Sequence, residues 1–183
     1  MKILICGKGP SILTQLKDRS LNDFDKVVRV SNWEPIESYD NRCDAWVYYP
    51  WHHIGEPESS YDVTKYFWIK EYWIAHEFTV PKAREQLGRE PDYVFTDEMK
   101  KEFLKESKLH TPRTGILALR MAQLISNDVW ATGFDCYQGE QRYYFSNEKT
   151  IENDANHITP HDSPLKEKAW FDGEVKKGGI KVL

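Results

Sequence analysis

The stretch CGKGPS, residues 6–11, sets two glycines, a lysine and a serine directly behind an apolar run that begins at Met1. Glycines allow a tight turn, and the amides of such a turn, with a helix behind them, can hold a phosphate. A bare strand-to-helix turn with nothing bound is the competing reading. The stretch is not a dinucleotide fingerprint, because Pro10 and Ser11 stand where that pattern continues. A second turn, Pro112-Arg113-Thr114-Gly115, adds a guanidinium and a hydroxyl to its amides, against the alternative of an N-cap threonine and a solvated arginine. In GFDCYQGEQRYYF, residues 133–145, Tyr137, Tyr143 and Tyr144 carry hydroxyls that can donate hydrogen bonds to a departing phosphate without a metal. Tyrosines in a loop also serve as packing. In NHITPHDS, residues 156–163, His157 and His161 lie four apart across Pro160 and share no helical face, so a zinc pair is not expected. A histidine before a helix suits proton removal from a hydroxyl near neutral pH, and the alternative is an ordinary surface histidine. Asp23-Phe24-Asp25 could chelate a cation, but it precedes a strand and is read as a turn.

These groups need a frame. The 183 residues suffice for one core and not for two ordinary domains, so a single domain over 1–183 is expected. Lys2 to Cys6, 24–30, 44–49, 92–95, 128–133 and the terminal GIKVL read as strands. Helices are predicted from about Asp97 to Ser107, over Thr114 to Ser126 and from Ser163-Pro164 to about Lys177. In the second of these Ile116, Leu117, Met121, Leu124 and Ile125 gather on one side. Between Tyr61 and Phe78 the apolar residues recur at roughly helical spacing, with Pro81 closing the segment. Strands alternating with helices predict an α/β fold: one Rossmann-like domain with a mostly parallel sheet, and a polar lid-like loop over about 134–160. In such a sheet, ligands bind beyond the carboxyl ends of the strands.

Composition narrows the partners. With 29 acidic and 25 basic residues the net charge is -4, which lacks the field by which nucleic-acid binders gather phosphates. A small-molecule substrate is favoured. Cys6, Cys43 and Cys136 are three in number and widely spaced, which argues against a disulfide scaffold and for reduced thiols. No apolar stretch reaches the ~20 residues of a membrane span, and a cytoplasmic location is expected. The aromatic content of 14%, with seven tryptophans, builds either a core or a pocket for a flat or sugar-like ligand.

Taken in order, the motifs resemble the bacterial sialyltransferases of glycosyltransferase family 42 and, more distantly, the animal sialyltransferases. CGKGPSIL is similar to that family's GNGPSL turn, NDFDKVVRVSNW to its strand ending in arginine and asparagine, and DAWVYYP to its third strand ending in Tyr-Asn-Pro. PRTGILAL resembles its Thr-Ser-Gly helix opening, TGFDCYQ its Gly-Ile-Asp-Phe-Tyr-Gln, and NHITPHDS its HxxxH segment. The resemblance implies a metal-independent inverting glycosyltransferase needing no cofactor. His161 takes the position of the base that deprotonates the acceptor hydroxyl, and Tyr137 and Tyr143 those of the pair bonding the departing phosphate. Gly7, Gly9, Ser11, Thr114 and Gly115 match nucleotide-contacting positions, with Arg113 and Cys136 beside them. Lys8 stands for the family's turn asparagine, Ser31 or Asn32 for the one after the arginine, and Tyr49 for the one in Tyr-Asn-Pro. These departures leave the donor open between a CMP-linked acid sugar and another nucleotide sugar. Family members commonly continue past this chain's last strand, so an acceptor side that is reduced or completed by a partner subunit in a homo-oligomer is expected. The acceptor is a saccharide or another hydroxyl. Two alternatives stand: transfer to a hydroxylated base of phage DNA from a non-CMP donor, and a non-catalytic module that binds a nucleotide or a partner.

Overall fold

The computed structural model describes residues 1–31, 33–50, 68–136 and 162–183. Seven strands among them form one sheet in the order β5-β4-β3-β2-β1-β6-β7, with every pairing parallel. They are β1 (Lys2–Cys6), β2 (Lys26–Val30), β3 (Ala45–Tyr48), β4 (Glu71–Ile74), β5 (Tyr93–Val94), β6 (Asp128–Thr132) and β7 (Lys181–Val182). The helices are α1 (Ile12–Gln15), α2 (Val80–Leu87), α3 (Asp97–Ser107), α4 (Thr114–Ile125) and α5 (Pro164–Lys176). The expected α/β frame with a parallel sheet is what the chain adopts; the first expected strand is unchanged, and the others are shorter by one to three residues.

The strands alternate with a period of two between two buried faces, as a sheet covered on both sides requires. Ile3 and Ile5, Val28 and Val30, Ala45 and Val47, and Val129 and Ala131 join one core with α4, with Phe103 of α3 and with Phe171 of α5. Leu4 and Cys6 with Val27 point to the opposite face, under Ile12 and Leu16. Trp46 and Tyr48 do the same under Ala83 of α2. Register follows: Leu4 lies opposite Val27 on one side and Trp130 on the other.

The helical reading of 61–78 is corrected where the chain is described. Residues 71–74 are strand β4, between β3 and β5, with Trp73 on one face and Tyr72 and Ile74 on the other. Over so short a run, aromatic residues satisfy either period, and the sheet decides. Pro81 closes nothing; it sits in the first turn of α2, where its missing N–H is no loss. In α4 the buried arc is Ile116 to Leu119, Met121 and Ala122, whereas Leu124 and Ile125 of the last turn are exposed. The helix lies between neighbours, Arg120 bonding Glu106 of α3 and Gln123 bonding Glu174 of α5. Sheet and flanking helices thus bury more of its middle than one stripe.

Candidate functional site

Because the sheet is parallel, every strand delivers its following residues to the same edge. From β1 the chain steps outward through β2 to β5, then returns to lay β6 on the other side of β1. That reversal makes the carboxyl ends of β1 and β6 the topological switch point of the sheet, the place where α/β sheets bind ligands.

Two turns meet there. Gly7 N donates to Thr132 O at 2.8 Å and Gly9 N to Gly133 O at 2.8 Å, so the β1 turn and the β6 turn are zipped together. Ser11 N donates to Asp135 Oδ2 at 2.9 Å. Gln15 Oε1 completes the junction by accepting from Thr132 Oγ1 at 2.8 Å, from Gly133 N at 2.9 Å and from Ser11 Oγ at 3.3 Å. The glycines are there for closeness: a Cβ on Gly7 would stand 2.4 Å from Gly133 O, and one on Gly9 2.3 Å from Asp135 Oδ2. The expected cradle of outward amides is therefore not what Gly7, Gly9 and Ser11 form, since all three amides donate within the protein. A carboxylate already sits where an anion was anticipated. Lys8, half-buried between the two glycines, is the charged side chain the turn carries.

The second turn also differs from expectation. The helix α4 begins at Thr114 as expected, with Arg113 as its N-cap, one residue before the threonine of the alternative reading. The guanidinium is largely buried and bonded within the protein. Arg113 Nη1 donates to Asp162 O at 2.8 Å and to Glu167 Oε2 at 3.1 Å, while its backbone N donates to Glu167 Oε1 at 2.6 Å. Glu167 is 3% exposed, and burial raises its carboxyl above the ordinary value, opposed by the hydrogen bonds and charge of Arg113. Asp162 Oδ2 accepts from His110 N and Thr111 N, both at 2.7 Å, and Asp162 N donates to Thr111 O at 3.1 Å. The start of α5 is thereby stitched to the start of α4.

Gly115 lets the ring of Phe134 approach, a Cβ there standing 3.2 Å from it, and Phe134 stacks on Phe171 at 5.7 Å. Cys136 follows with φ of 47° and a thiol that burial pushes up to about 12, which leaves it protonated at neutral pH. At the end of β2, Ser31 adopts φ of 55°, donates its N–H to Val47 O at 2.9 Å and accepts Trp46 Nε1 at 2.7 Å. Tyr49 follows β3, its hydroxyl pushed up by burial and its ring 5.3 Å from that of His76. The structure thus brings Gly7, Lys8, Gly9, Ser11, Ser31, Tyr49, Arg113, Thr114, Gly115 and Cys136 to the carboxyl edge. Asn32, Tyr137, Tyr143, His161 and nearly all of the expected lid over 134–160 lie outside the described residues. Asp23 and Asp25 sit before β2, at the opposite edge, where Lys2 N donates to Asp25 Oδ2 at 2.6 Å; the turn reading agrees with that geometry.

Sequence reasoning passed over Asp135 and Asp162, although both stand inside motifs it singled out. It had no signal for Gln15 or Glu167, whose roles appear only when distant segments meet. Arg29, the strand arginine of the resemblance, was given no role; it is 1% exposed, reaches the carbonyls of Asp40 and Arg42 at 3.1 and 3.3 Å and lies 4.8 Å from the Trp33 ring. That buried cation organises the β2–β3 connection. Among the described residues no group of three or more His, Cys, Asp or Glu could hold a metal ion, and no helix is long and apolar enough to cross a membrane.

No protein-family model matches the chain, and a search of curated proteins finds no match. Solved structures do resemble it, and they define a class: the fold is that of sialyltransferases. A mammalian sialyltransferase solved with Gal-beta-1-3GalNAc-ortho-nitrophenol aligns over 100% of this chain and 68% of its own, with a TM-score of 0.61 and 14% identity. The sialyltransferase CstII from Campylobacter jejuni, solved with the substrate analogue CMP-3FNeuAc, aligns over 99% of this chain and 80% of its own, with a TM-score of 0.58 and 17% identity.

Proposed function

We propose that this chain is a glycosyltransferase that moves a sugar from a nucleotide-sugar donor to an acceptor hydroxyl with inversion at the anomeric carbon. One observation carries the reading: the sialyltransferase fold extends over essentially the whole chain, and the quoted motifs that are described fall on the one edge where that fold forms a switch-point crevice. Further support comes from the chain ends that border residues 137–161. Cys136 follows β6 at this edge, and Asp162 is bonded to the residues just before α4 at the same edge.

In this mechanism the imidazole of His161 takes the proton of the acceptor hydroxyl, whose oxygen attacks the anomeric carbon. The bond from that carbon to the phosphate oxygen breaks on the opposite face, and the nucleotide leaves with the electron pair. Tyr137 and Tyr143 donate hydrogen bonds to the phosphate as its charge grows, the form of stabilisation that contributes most when donors are fixed beforehand. Lys8, Ser31 or Asn32, and Tyr49 set which nucleotide is accepted. A lysine at the turn favours a more highly charged phosphate than an asparagine would, so a diphosphate donor competes with a CMP-linked one.

Thermal denaturation with CMP, CDP, UMP, UDP, GDP and ADP, with and without magnesium, tests this. A nucleotide at 100 times its Kd stabilises the native state by about 2.7 kcal/mol, a rise of roughly 5–11 °C in Tm for a chain of this size. Selective stabilisation by one base or phosphate count names the donor class. His161→Ala should then keep nucleotide binding and lose transfer. No stabilisation by any of the six overturns the reading in favour of a partner-binding module.

A further inference from the structure

A groove of about 500 Å³ lies between the last turns of α3 and one side of α5, with Arg120 and Gln123 of α4 also lining it. It belongs to the helix layer and not to the strand ends. On α5 it is lined by Lys166, Ala169, Trp170, Gly173 and Lys177, spaced by three and four so that they share one side of the helix. Glu167 and Phe171 of the same helix are buried.

Two features of the groove serve no contact within the fold. Gly173 lies in the interior of α5, where glycine weakens a helix relative to alanine, yet a Cβ there would meet nothing within 4 Å. Gly7 and Gly9 are required by their neighbours; Gly173 is not. Trp170 is half-buried, its ring 5.4 Å from that of Phe103 and edge-on to it. The indole N–H groups of Trp46, Trp73 and Trp130 donate to Ser31 O, Glu71 Oε2 and Asp128 Oδ1 at 2.7, 3.2 and 3.0 Å. Among the described residues that of Trp170 has no acceptor. A helix glycine beside a half-buried indole with a donor to offer suits the close approach of another backbone.

The charge of the groove selects what approaches. Both carboxylates that line it are engaged from within, Glu106 by Arg120 at 2.9 Å and Glu174 by Gln123 at 2.9 Å and Lys177 at 3.1 Å. Lys108, just past α3, is exposed, and among the described residues its side chain has no acceptor. Lys166 is 60% exposed and 4.0 Å from Asp162, whose other carboxylate oxygen already accepts two backbone amides. On a chain of net charge -4 this groove therefore carries a local excess of positive charge. From 166 to 177 it follows α5 for about 16 Å, three helical turns.

We propose that the groove docks an acidic amphipathic helix of a partner protein, about three turns long. Its apolar side packs on Trp170 and comes close over Ala169 and Gly173, and its carboxylates reach Lys108 and Lys166. The open face of Gly173 sets how near the helix comes, and the two lysines set the charge it must carry.

The test is NMR titration of the intact chain with two synthetic amphipathic peptides of about 14 residues. One carries leucines on one side and glutamates on the other, and its counterpart has lysine for every glutamate. The acidic peptide should bind at least about tenfold more tightly, with amide shifts concentrated at 106–109 and 166–177, and added salt should narrow the difference. Lys108→Gln combined with Lys166→Gln should bring the two peptides within about twofold of each other. Gly173→Leu should fill the groove and weaken the acidic peptide at least about tenfold while its Tm equals or exceeds that of wild type, so that the loss does not come from unfolding. Equal binding of the two peptides, shifts confined to other surfaces, or undiminished binding in Gly173→Leu overturns the proposal. So do dimers of the chain alone in sedimentation equilibrium that Gly173→Leu abolishes, since they give the groove to a second copy. Neither nucleotide nor acceptor enters the experiment, and its outcome is separate from that of the nucleotide panel.

Discussion

Gly7→Ala places one methyl group at the junction on which the site depends. Its Cβ would lie 2.4 Å from Gly133 O and 3.0 Å from Gly133 C, both backbone atoms, and real Cβ atoms essentially never come under 3.0 Å. The β1 and β6 turns must separate by about 0.6 Å at that point. No flexible side chain can absorb the shift. Overpacking of this kind costs about 1–3 kcal/mol. The separation also stretches the Gly7 N–Thr132 O and Gly9 N–Gly133 O hydrogen bonds, both 2.8 Å, at roughly 0.5–1.5 kcal/mol each. Gly7→Ala should therefore lose about 2–6 kcal/mol in urea denaturation with an unchanged m-value. Gly173→Ala is the matched control. That glycine lies inside α5 with nothing within 4 Å of its Cβ position, so alanine there should be neutral or stabilise by up to about 1 kcal/mol. The functional expectation follows from the same contact. Because the crevice is the junction itself, Gly7→Ala should weaken nucleotide binding even at temperatures where it is fully folded. A Gly7→Ala protein with wild-type stability and wild-type nucleotide affinity would refute the claim that close approach is the purpose of this glycine.

Glu167 gives a pH signature. Its carboxyl is raised above the ordinary 4.5, chiefly by burial, so the stability it contributes is fully present below that value and declines as pH rises through the native pKa. The stability of Glu167→Gln relative to wild type should therefore increase with pH across that window; a flat difference in urea midpoints between pH 4 and 7 would count against the assignment. The thiols of Cys43 and Cys136 are both pushed up to about 12 by burial. In the folded protein at pH 8 neither should react with iodoacetamide on the timescale of the unfolded chain, as mass spectrometry after a timed quench can read.

Much of the frame was legible because its signals are local. Glycine turns, capping residues and apolar runs of five residues speak for themselves, and Thr96, the N-cap of the expected helix, does accept from Met99 N. The strand β4 was not legible, because Tyr72, Trp73 and Ile74 are equally good letters for helix and strand and only pairing with β3 and β5 chooses. The site shows a subtler limit. From sequence, Gly7 to Ser11 offers amides in search of an anion, and Arg113 a cation in search of a phosphate. Both find protein partners instead: Asp135, 124 residues from Ser11, and Glu167, 54 residues from Arg113. The donors were identified correctly, but their acceptors belong to segments that only the fold brings near. These motifs therefore tie the β1 turn to the β6 turn and the start of α4 to α5, and the proposed function assigns selectivity to the side chains mounted beside them. Those are the positions, Lys8, Ser31 and Tyr49, at which this chain departs from the family it resembles. In the reading proposed above, a change of donor requires no change in these turns.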